Sequence, residues 1–440
     1  MGKIDAVFIG HSDYLSTNCY NIQAEMIEAM KKEAGVEVTD STICCTQQEA
    51  VEVTRRALAG HPDGVILVFA SWLECNVAMS AVKELKGTPA ICWGVPLEEV
   101  AGVRESTGSY VSATMFQGVI RRVGLPIDTL KGSWRDAKIM EKIAAWAKAA
   151  GAYGKLYYSR MGLVGYTSMA IYTGTFDHVL MRYIVGPEVD QMDSYTLIER
   201  SKQVPDEKID EAIAYLKTKT PIAENINQDI LRKTMAIYVA LKEISKEHQW
   251  DGVNVKCQYE FSKEYKAIPC VALSLLAEDG IVTSCEGDTL CAVTMMLLNA
   301  MSGDTIAYGD SLSQDGDVIT FSPCGFMPFS VGKKGYSVEN FPDVPGFNGI
   351  CVTGTMRPEK VTFARLVEDV GKYHIVYGTG QGIECLPRGG WAPSLEVKLD
   401  GDVEKLLDNY AGQHYAIAYG DYSAAIEAYG KIAGIETVRI

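Results

Sequence analysis

AEDGIVTSCEGDTLCAVTMMLLNAMSG (residues 277–303) reads as a strand, a turn and a helix in immediate succession. Ile281 and Val282 have strand character, Glu286, Gly287 and Asp288 make the turn, and residues 289–301 form a strongly apolar helix. Glu286 therefore stands at a strand end just before a helix start, with its carboxylate toward a cleft. Asp288 has a structural reading as the N-cap of that helix, because its side-chain oxygen can accept an orphan backbone N–H of the first turn. With the cap supplied, Glu286 is left between Cys285 and Gly287, and spacing alone serves a solvated loop charge there as well as a site.

Downstream, TIAYGDSLSQDGD (305–317) repeats the arrangement: the strand-like 305–308 delivers Asp310 to a loop, while Asp315 and Asp317 flank Gly316 as turn residues. Upstream, IDAVFIG (4–10), a helix-like segment after Asn18, DGVILVFA (63–70) and PAICWGVP (89–96) alternate as the βα units of a parallel sheet do. Open sheets of this kind collect ligand-binding groups at the carboxyl ends of their strands. That puts Ser12, Asp13, Trp72 and Glu74 on functional-looking loops, although a loop tryptophan also serves to cap a core. AAWAKAAGAYGKLYYSRMG (144–162) ends a helix at small residues and starts an extended segment near Lys155, and helical stretches at 206–217 and 226–247 follow. Past 305 the texture changes to short strands, among them GDVITFSPCG (316–325), KVTFARLVED (360–369), KYHIVYGTG (372–380) and SLEVKLDG (394–401), which suggests a barrel or sandwich. The expected fold is α/β: two Rossmann-like α/β domains, 1–154 and 155–305, then a β-rich, barrel-like domain, 306–440, with a terminal helix and strand.

Composition narrows the function classes. Apolar residues make up 47% of the 440 and charged residues 22%, the profile of a globular enzyme, and a net charge of −15 lacks the basic face that a nucleic-acid backbone requires. No apolar stretch reaches the roughly 18 to 20 residues of a membrane span, and the start MGKID leads directly into a strand with none of the regions of a signal peptide. A soluble, cytoplasmic protein is expected. The 12 cysteines form no Cys-x-x-Cys pair and several lie in apolar runs, reading as buried free thiols, so carboxylates and histidines remain as candidate ligands. Among six histidines, His61 and His248 read as surface and His178 and His374 as packed or exposed. His11 follows a strand end, and His414 opens the apolar run of AGQHYAIAYGD (411–421) as a ligand at a loop-to-strand junction does. Lys256 in NVKCQYEF (254–261) suits a hydroxyl or an anion, though a lysine at a strand end is commonly surface charge. Arg388 shares a short stretch with Arg357, Lys360 and Lys398, either scattered surface charge or a pocket for an anionic substrate, and Trp391 lies beside it as a candidate substrate contact.

These fragments together resemble the L-fucose and L-arabinose isomerase superfamily, in preserved order over most of the chain. PCVALSLLAEDGIVTSCEGDTLCAVTMMLL (269–298) is similar to the family's central block, whose metal-binding glutamate corresponds to Glu286. IAYGDS (306–311) supplies Asp310 at the second metal carboxylate, and GQHYAIAYGDYSAAIEAYGKIAGIETVRI (412–440) supplies His414 at the metal histidine. GLVGYTSMAIYTGTFDHVLMRYIVGPEVDQMDSYTL (162–197) is similar to the block that opens the family's second domain. ASWLECNVAM (70–79) is similar to a loop whose tryptophan reaches the substrate of a neighbouring subunit, which implies that Trp72 acts in trans within a homo-oligomer, a hexamer or trimer with shared active sites. The chain is shorter than typical fucose isomerases, and SPCGFMPFSVG (322–332) stands where arabinose isomerases carry a further histidine. A fucose-type three-ligand site is thus implied, with the sugar left open among a deoxyhexose, a pentose and a sulfosugar such as sulfoquinovose.

The resemblance implies an aldose–ketose isomerase, an intramolecular oxidoreductase acting on an open-chain sugar through an ene-diol. Glu286, Asp310 and His414 would hold manganese, with magnesium or cobalt as alternatives, to acidify the carbon-bound proton, and Glu286 or Asp310 would act as base. His11, Trp72, Lys256, Arg388 and Trp391 are the candidate substrate contacts. Two other classes fit the same layout. A non-catalytic sugar-binding or regulatory protein would bind sugar without metal or turnover, and a metal-dependent aldolase or lyase using the same ene-diol would give carbon–carbon cleavage products.

Overall fold

Alternate residues of a β-strand face opposite sides of its sheet, and the apolar runs of the first 154 residues find cover on both. Phe8, Ile66 and Val68 pack with Met26 and Met30 of the helix Thr17–Ala34 and with Ile143 and Trp146 of the helix Ala137–Tyr158. Val7, Leu67 and Phe69 face the other way, onto Val53, Val77 and Phe116. Double-sided burial is why these strands read as continuous apolar runs. The five strands run parallel in the order Ile43–Cys44, Ile4–Ile9, Gly64–Phe69, Ala90–Gly94, Asp128–Lys131. The order reverses between Ile4–Ile9 and Gly64–Phe69, the switch point where open α/β sheets place their ligands.

The computed structural model describes residues 2–100, 102–342 and 347–440. Its chain divides into two units, Met1–Gly154 with Ala424–Ile435, and Lys155–Ser423 with Glu436–Ile440. The helix Ala137–Tyr158 continues through Gly151 and Gly154, past the extended start expected near Lys155, and the next strand opens at Arg160. The glycines serve close packing rather than termination: a Cβ on Gly154 would lie 2.5 Å from Asp63 Oδ1, and one on Gly2 would lie 2.6 Å from Gly151 Cα.

The second unit holds a four-stranded parallel sheet in the order Val282–Cys285, Gly252–Val255, Arg160–Val164, Glu188–Met192. It also holds a seven-stranded sheet in the order Lys360–Asp369, His414–Tyr419, Ala307–Asp315, Val318–Ser322, Leu395–Leu399, Lys372–Ile383, Glu436–Arg439. Lys372–Ile383 pairs back onto Lys360–Asp369 along its length, closing the first six strands into an antiparallel barrel, while Glu436–Arg439 joins it in parallel from outside the ring. The α/β class with a C-terminal barrel, expected from the sequence, is the observed fold. The apolar helix Thr289–Ser302 packs against Gly252–Val255 and Val282–Cys285 of the sheet and against Lys360–Asp369 and His414–Tyr419 of the barrel. Contact with both explains why it is apolar around most of its circumference.

Candidate metal centre and active site

Three loops leave the carboxyl edge of the second sheet side by side. Arg160–Val164 leads into Gly165 and Tyr166, Gly252–Val255 into Lys256, and Val282–Cys285 into Glu286. The last two loops stay on the ladder at their start, for Lys256 N–H donates to Val164 O and Glu286 N–H to Val255 O, both at 2.9 Å. Glu286 then adopts a left-handed φ of 68° and Gly287 one of 70°. For a non-glycine residue such a conformation costs about 1 to 3 kcal/mol and persists only where its surroundings dictate it. Glycine is required at 287 on a second count, since a Cβ would lie 2.3 Å from the Tyr166 carbonyl oxygen. Asn254 clamps the turn, accepting from Gly287 N–H at 2.8 Å and donating to Asp288 O at 2.9 Å. Asp288 caps the helix Thr289–Ser302 by accepting from Cys291 N–H at 3.0 Å.

Asp310 lies inside the strand Ala307–Asp315 rather than on a loop beyond residue 308, as its sequence had suggested. The polar residues that follow it pair with Val318–Ser322 in a hairpin, so ladder hydrogen bonds, not side-chain polarity, set where this strand ends. On its other edge Asp310 stands directly opposite His414, the first residue of His414–Tyr419. Opposed residues of antiparallel strands share a face with Cβ atoms about 5 Å apart, so register alone delivers these two distant residues to one spot. His414 Nε2 lies 3.2 Å from Asp310 Oδ1 and 3.4 Å from Glu286 Oε2.

The far side of the imidazole is held as well. Nδ1 is 2.8 Å from Asp288 Oδ2, and because an ionised carboxylate only accepts, Nδ1 carries the proton and Nε2 faces Glu286 and Asp310. Arg365, buried on Lys360–Asp369, donates from Nη1 to Asp288 Oδ2 and to His414 O, both at 2.8 Å, and from Nη2 to Thr173 O at 2.6 Å. Burial works to raise the Asp288 carboxyl, but Arg365 and His414 beside it prevail and hold it at about 2. Burial likewise opposes a charged His414, yet its hydrogen bond with Asp288 and the nearby carboxylates of Asp310 and Glu286 push it well above the ordinary histidine range.

The carboxylates of Glu286, Asp288 and Asp310 gather around the His414 imidazole, and of the three only Asp288 is paired with the Arg365 guanidinium. His414 Nε2 makes no hydrogen bond of adequate geometry, although both carboxylate oxygens are near enough to attract it as charges. An imidazole whose other nitrogen is anchored by a carboxylate, and whose free nitrogen faces two more, fits a divalent cation with oxygen and nitrogen donors. On another side of Glu286, Cys324 Sγ is 3.7 Å from Oε1.

Other candidates from the sequence are distributed as follows. Lys256 is not surface charge: its side chain is buried, with Nζ 2.8 Å from Glu260 Oε1 and 3.6 Å from the centroid of the Tyr166 ring. Arg388 is exposed, and its Nε donates to Ser322 Oγ at 3.2 Å. Ser322 is the cross-strand partner of Asp310, so the guanidinium is tied next to the cluster. Trp391 is half-buried, its ring 5.3 Å from Phe341 and 5.9 Å from the Arg388 guanidinium. His11 and Trp72 belong to the first unit, where they follow the two strands at its switch point, with rings 5.6 Å apart and Tyr14 against both. Arg365, Asn254 and the second role of Asp288 escape the sequence reading. For Arg365 a signal exists, since a lone cation inside the apolar run VTFARLV must be buried and therefore paired.

Comparison with known proteins finds sugar isomerases. A family model described as the L-arabinose isomerase central domain matches residues 168–304. The sulfoquinovose isomerase of Alkalicoccus urumqiensis is 21% identical over 409 residues, 90% of each chain. That of Priestia aryabhattai is 21% identical over 366 residues, 82% of this chain and 81% of its own. The L-arabinose isomerase of Thermotoga maritima is 26% identical over 198 residues, 44% of this chain and 39% of its own. An α/β fold that ends in a closed barrel and relatives aligned across up to 90% of the chain support its likeness to the fucose and arabinose isomerase-like superfamily.

Proposed function

We propose that this protein is a divalent-metal-dependent aldose–ketose isomerase acting on a sulfonated sugar. The observation that carries the metal is the convergence of Glu286, Asp310 and the unpaired Nε2 of His414, whose Nδ1 is anchored on Asp288. The sulfonated substrate rests on relatives named sulfoquinovose isomerase that align with up to 90% of the chain, and on the exposed guanidinium of Arg388 beside Asp310's strand neighbour. A guanidinium matches the oxygens of a sulfonate in two parallel hydrogen bonds, which an ammonium does not.

Isomerisation moves a proton between adjacent carbons of the open-chain sugar. A bound manganese ion, with magnesium or cobalt as alternatives, supplies the Lewis acidity that weakens the carbon–hydrogen bond. Glu286 or Asp310 takes that proton and returns it to the neighbouring carbon of the ene-diol. Arg365 and Asp288 keep His414 in one orientation while the sugar is turned over. Lys256, its amine held by Glu260 and Tyr166, orients the sugar hydroxyls, and Trp391 lines the pocket. In the proposed homo-oligomer, a hexamer or trimer, Trp72 and His11 of one subunit cover the sugar of the next. The proposed setting is the cytoplasm; no helix among the described residues is long and apolar enough to cross a membrane.

A screen of aldoses with manganese, including sulfoquinovose, L-fucose and L-arabinose, tests this reading. The expected result is a ketose product fastest from the sulfonated sugar, with Arg388→Gln raising KM for that sugar about tenfold, the size of one lost charged contact, and leaving neutral sugars unchanged. Sugar binding without turnover, or carbon–carbon cleavage products, would replace it with one of the other two classes.

A further inference from the structure

We propose that Cys257, Cys285 and Glu286 form a second cation site, for a thiophilic divalent ion such as zinc or cadmium, which shares Glu286 with the Asp310–His414 cluster and excludes a hard ion from it. Cys285 ends the strand Val282–Cys285 opposite Val255, and Cys257 lies two residues beyond Val255 on the parallel neighbour, so the sheet presents both thiols at one edge. One donor atom from each of Cys257, Cys285 and Glu286 lies within 4.8 Å of the others, and all three residues are buried. Donors about 2.3 Å from a tetrahedral ion are themselves about 3.8 Å apart, so a small rotation of each side chain completes the geometry. A third sulfur, Cys324 Sγ, lies outside this trio but 3.7 Å from Glu286 Oε1.

Ligand softness separates the two sites. Thiolates select zinc or cadmium, whereas imidazole and carboxylates accept manganese or magnesium. Binding converts the Cys257 and Cys285 thiols to thiolates and releases two protons to solvent. Glu286 is the hinge of the competition, with Oε2 toward His414 and Oε1 toward Cys324. The thiol site stands on this geometry alone; only its inhibitory effect rests on the isomerase reading, so its test reads binding.

The probe is cadmium chloride added to the chelator-treated, full-length protein, both alone and after reloading with manganese. The expected result is one tightly bound cadmium per chain with an ultraviolet thiolate-to-cadmium band, and loss of bound manganese as cadmium saturates. Cys257→Ser and Cys285→Ser should each lower cadmium affinity at least tenfold and remove most of the band, leaving manganese binding intact, whereas Cys385→Ser, at a thiol outside the cluster, should change neither. Cadmium-edge X-ray absorption of the unmodified protein needs no variant to fold and should find at least two sulfur neighbours. Only oxygen and nitrogen neighbours, no cadmium uptake, a band that survives both substitutions, or manganese retained beside cadmium would overturn the proposal.

Discussion

Replacing Asp288 by asparagine separates its two roles, because asparagine caps a helix about as well as aspartate does. The cap on Cys291 N–H should survive, while the charge that pairs with Arg365 and anchors His414 Nδ1 is lost. Breaking a buried ion pair costs about 3 to 5 kcal/mol. Arg365 keeps the carbonyls of His414 and Thr173 as acceptors, which places the expected loss near the lower end, about 3 kcal/mol. Removing a carboxylate behind a metal-binding histidine lowers metal affinity about 10- to 100-fold. Urea denaturation of the metal-free protein reads the first effect, and a manganese titration followed by electron paramagnetic resonance of the free ion reads the second. Asp288→Ala, which also removes the cap, should cost about 1 kcal/mol more. If Asp288→Asn unfolds within about 0.5 kcal/mol of the parent, the spread of ordinary surface changes, and binds manganese equally well, Asp288 is a helix cap and nothing else.

Gly287→Ala should destabilise the protein by about 1 to 3 kcal/mol, from a left-handed φ and a Cβ 2.3 Å from a carbonyl oxygen, and urea denaturation will show it. Lys256→Met should leave manganese binding unchanged and weaken sugar affinity; unchanged KM for every sugar turned over would make Lys256 a structural cation. Mixing inactive Glu286→Gln subunits with inactive Trp72→Ala subunits under exchange conditions should restore part of the activity, and no recovery despite proven exchange would remove Trp72 from a neighbour's site.

Much of this architecture is legible in the sequence because burial leaves a pattern: two-sided sheets give continuous apolar runs, and a helix packed between sheet and barrel is apolar nearly all round. Turn chemistry marks Glu286 and identifies Asp288 as a helix cap, and family resemblance links Glu286 to Asp310 and His414. What stays hidden is pairing at a distance. The register that sets Asp310 against His414 depends on which strands neighbour one another, and strand polarity misleads about Asp310 because exposed hairpin residues keep their ladder bonds. Asp288 looks complete as a cap, so nothing in the sequence asks for its second partner. Lys256 and Arg365 fail for a shared reason, that a buried cation is recognised by its counter-charge, and Glu260 and Asp288 become visible as partners only in three dimensions.

In the proposed reaction Glu286, Asp310 and His414 together hold the ion on which turnover depends. Bound manganese per chain and turnover of the best aldose, measured side by side in the parent and in Glu286→Gln, Asp310→Asn and His414→Ala, test it most directly. The parent should bind about one ion per chain, consistent with a single three-ligand catalytic site, its activity should be abolished by a chelator and restored by manganese, and each folded variant should lose both properties. Turnover that survives complete removal of the metal, or a variant that keeps near-parental activity, would contradict it.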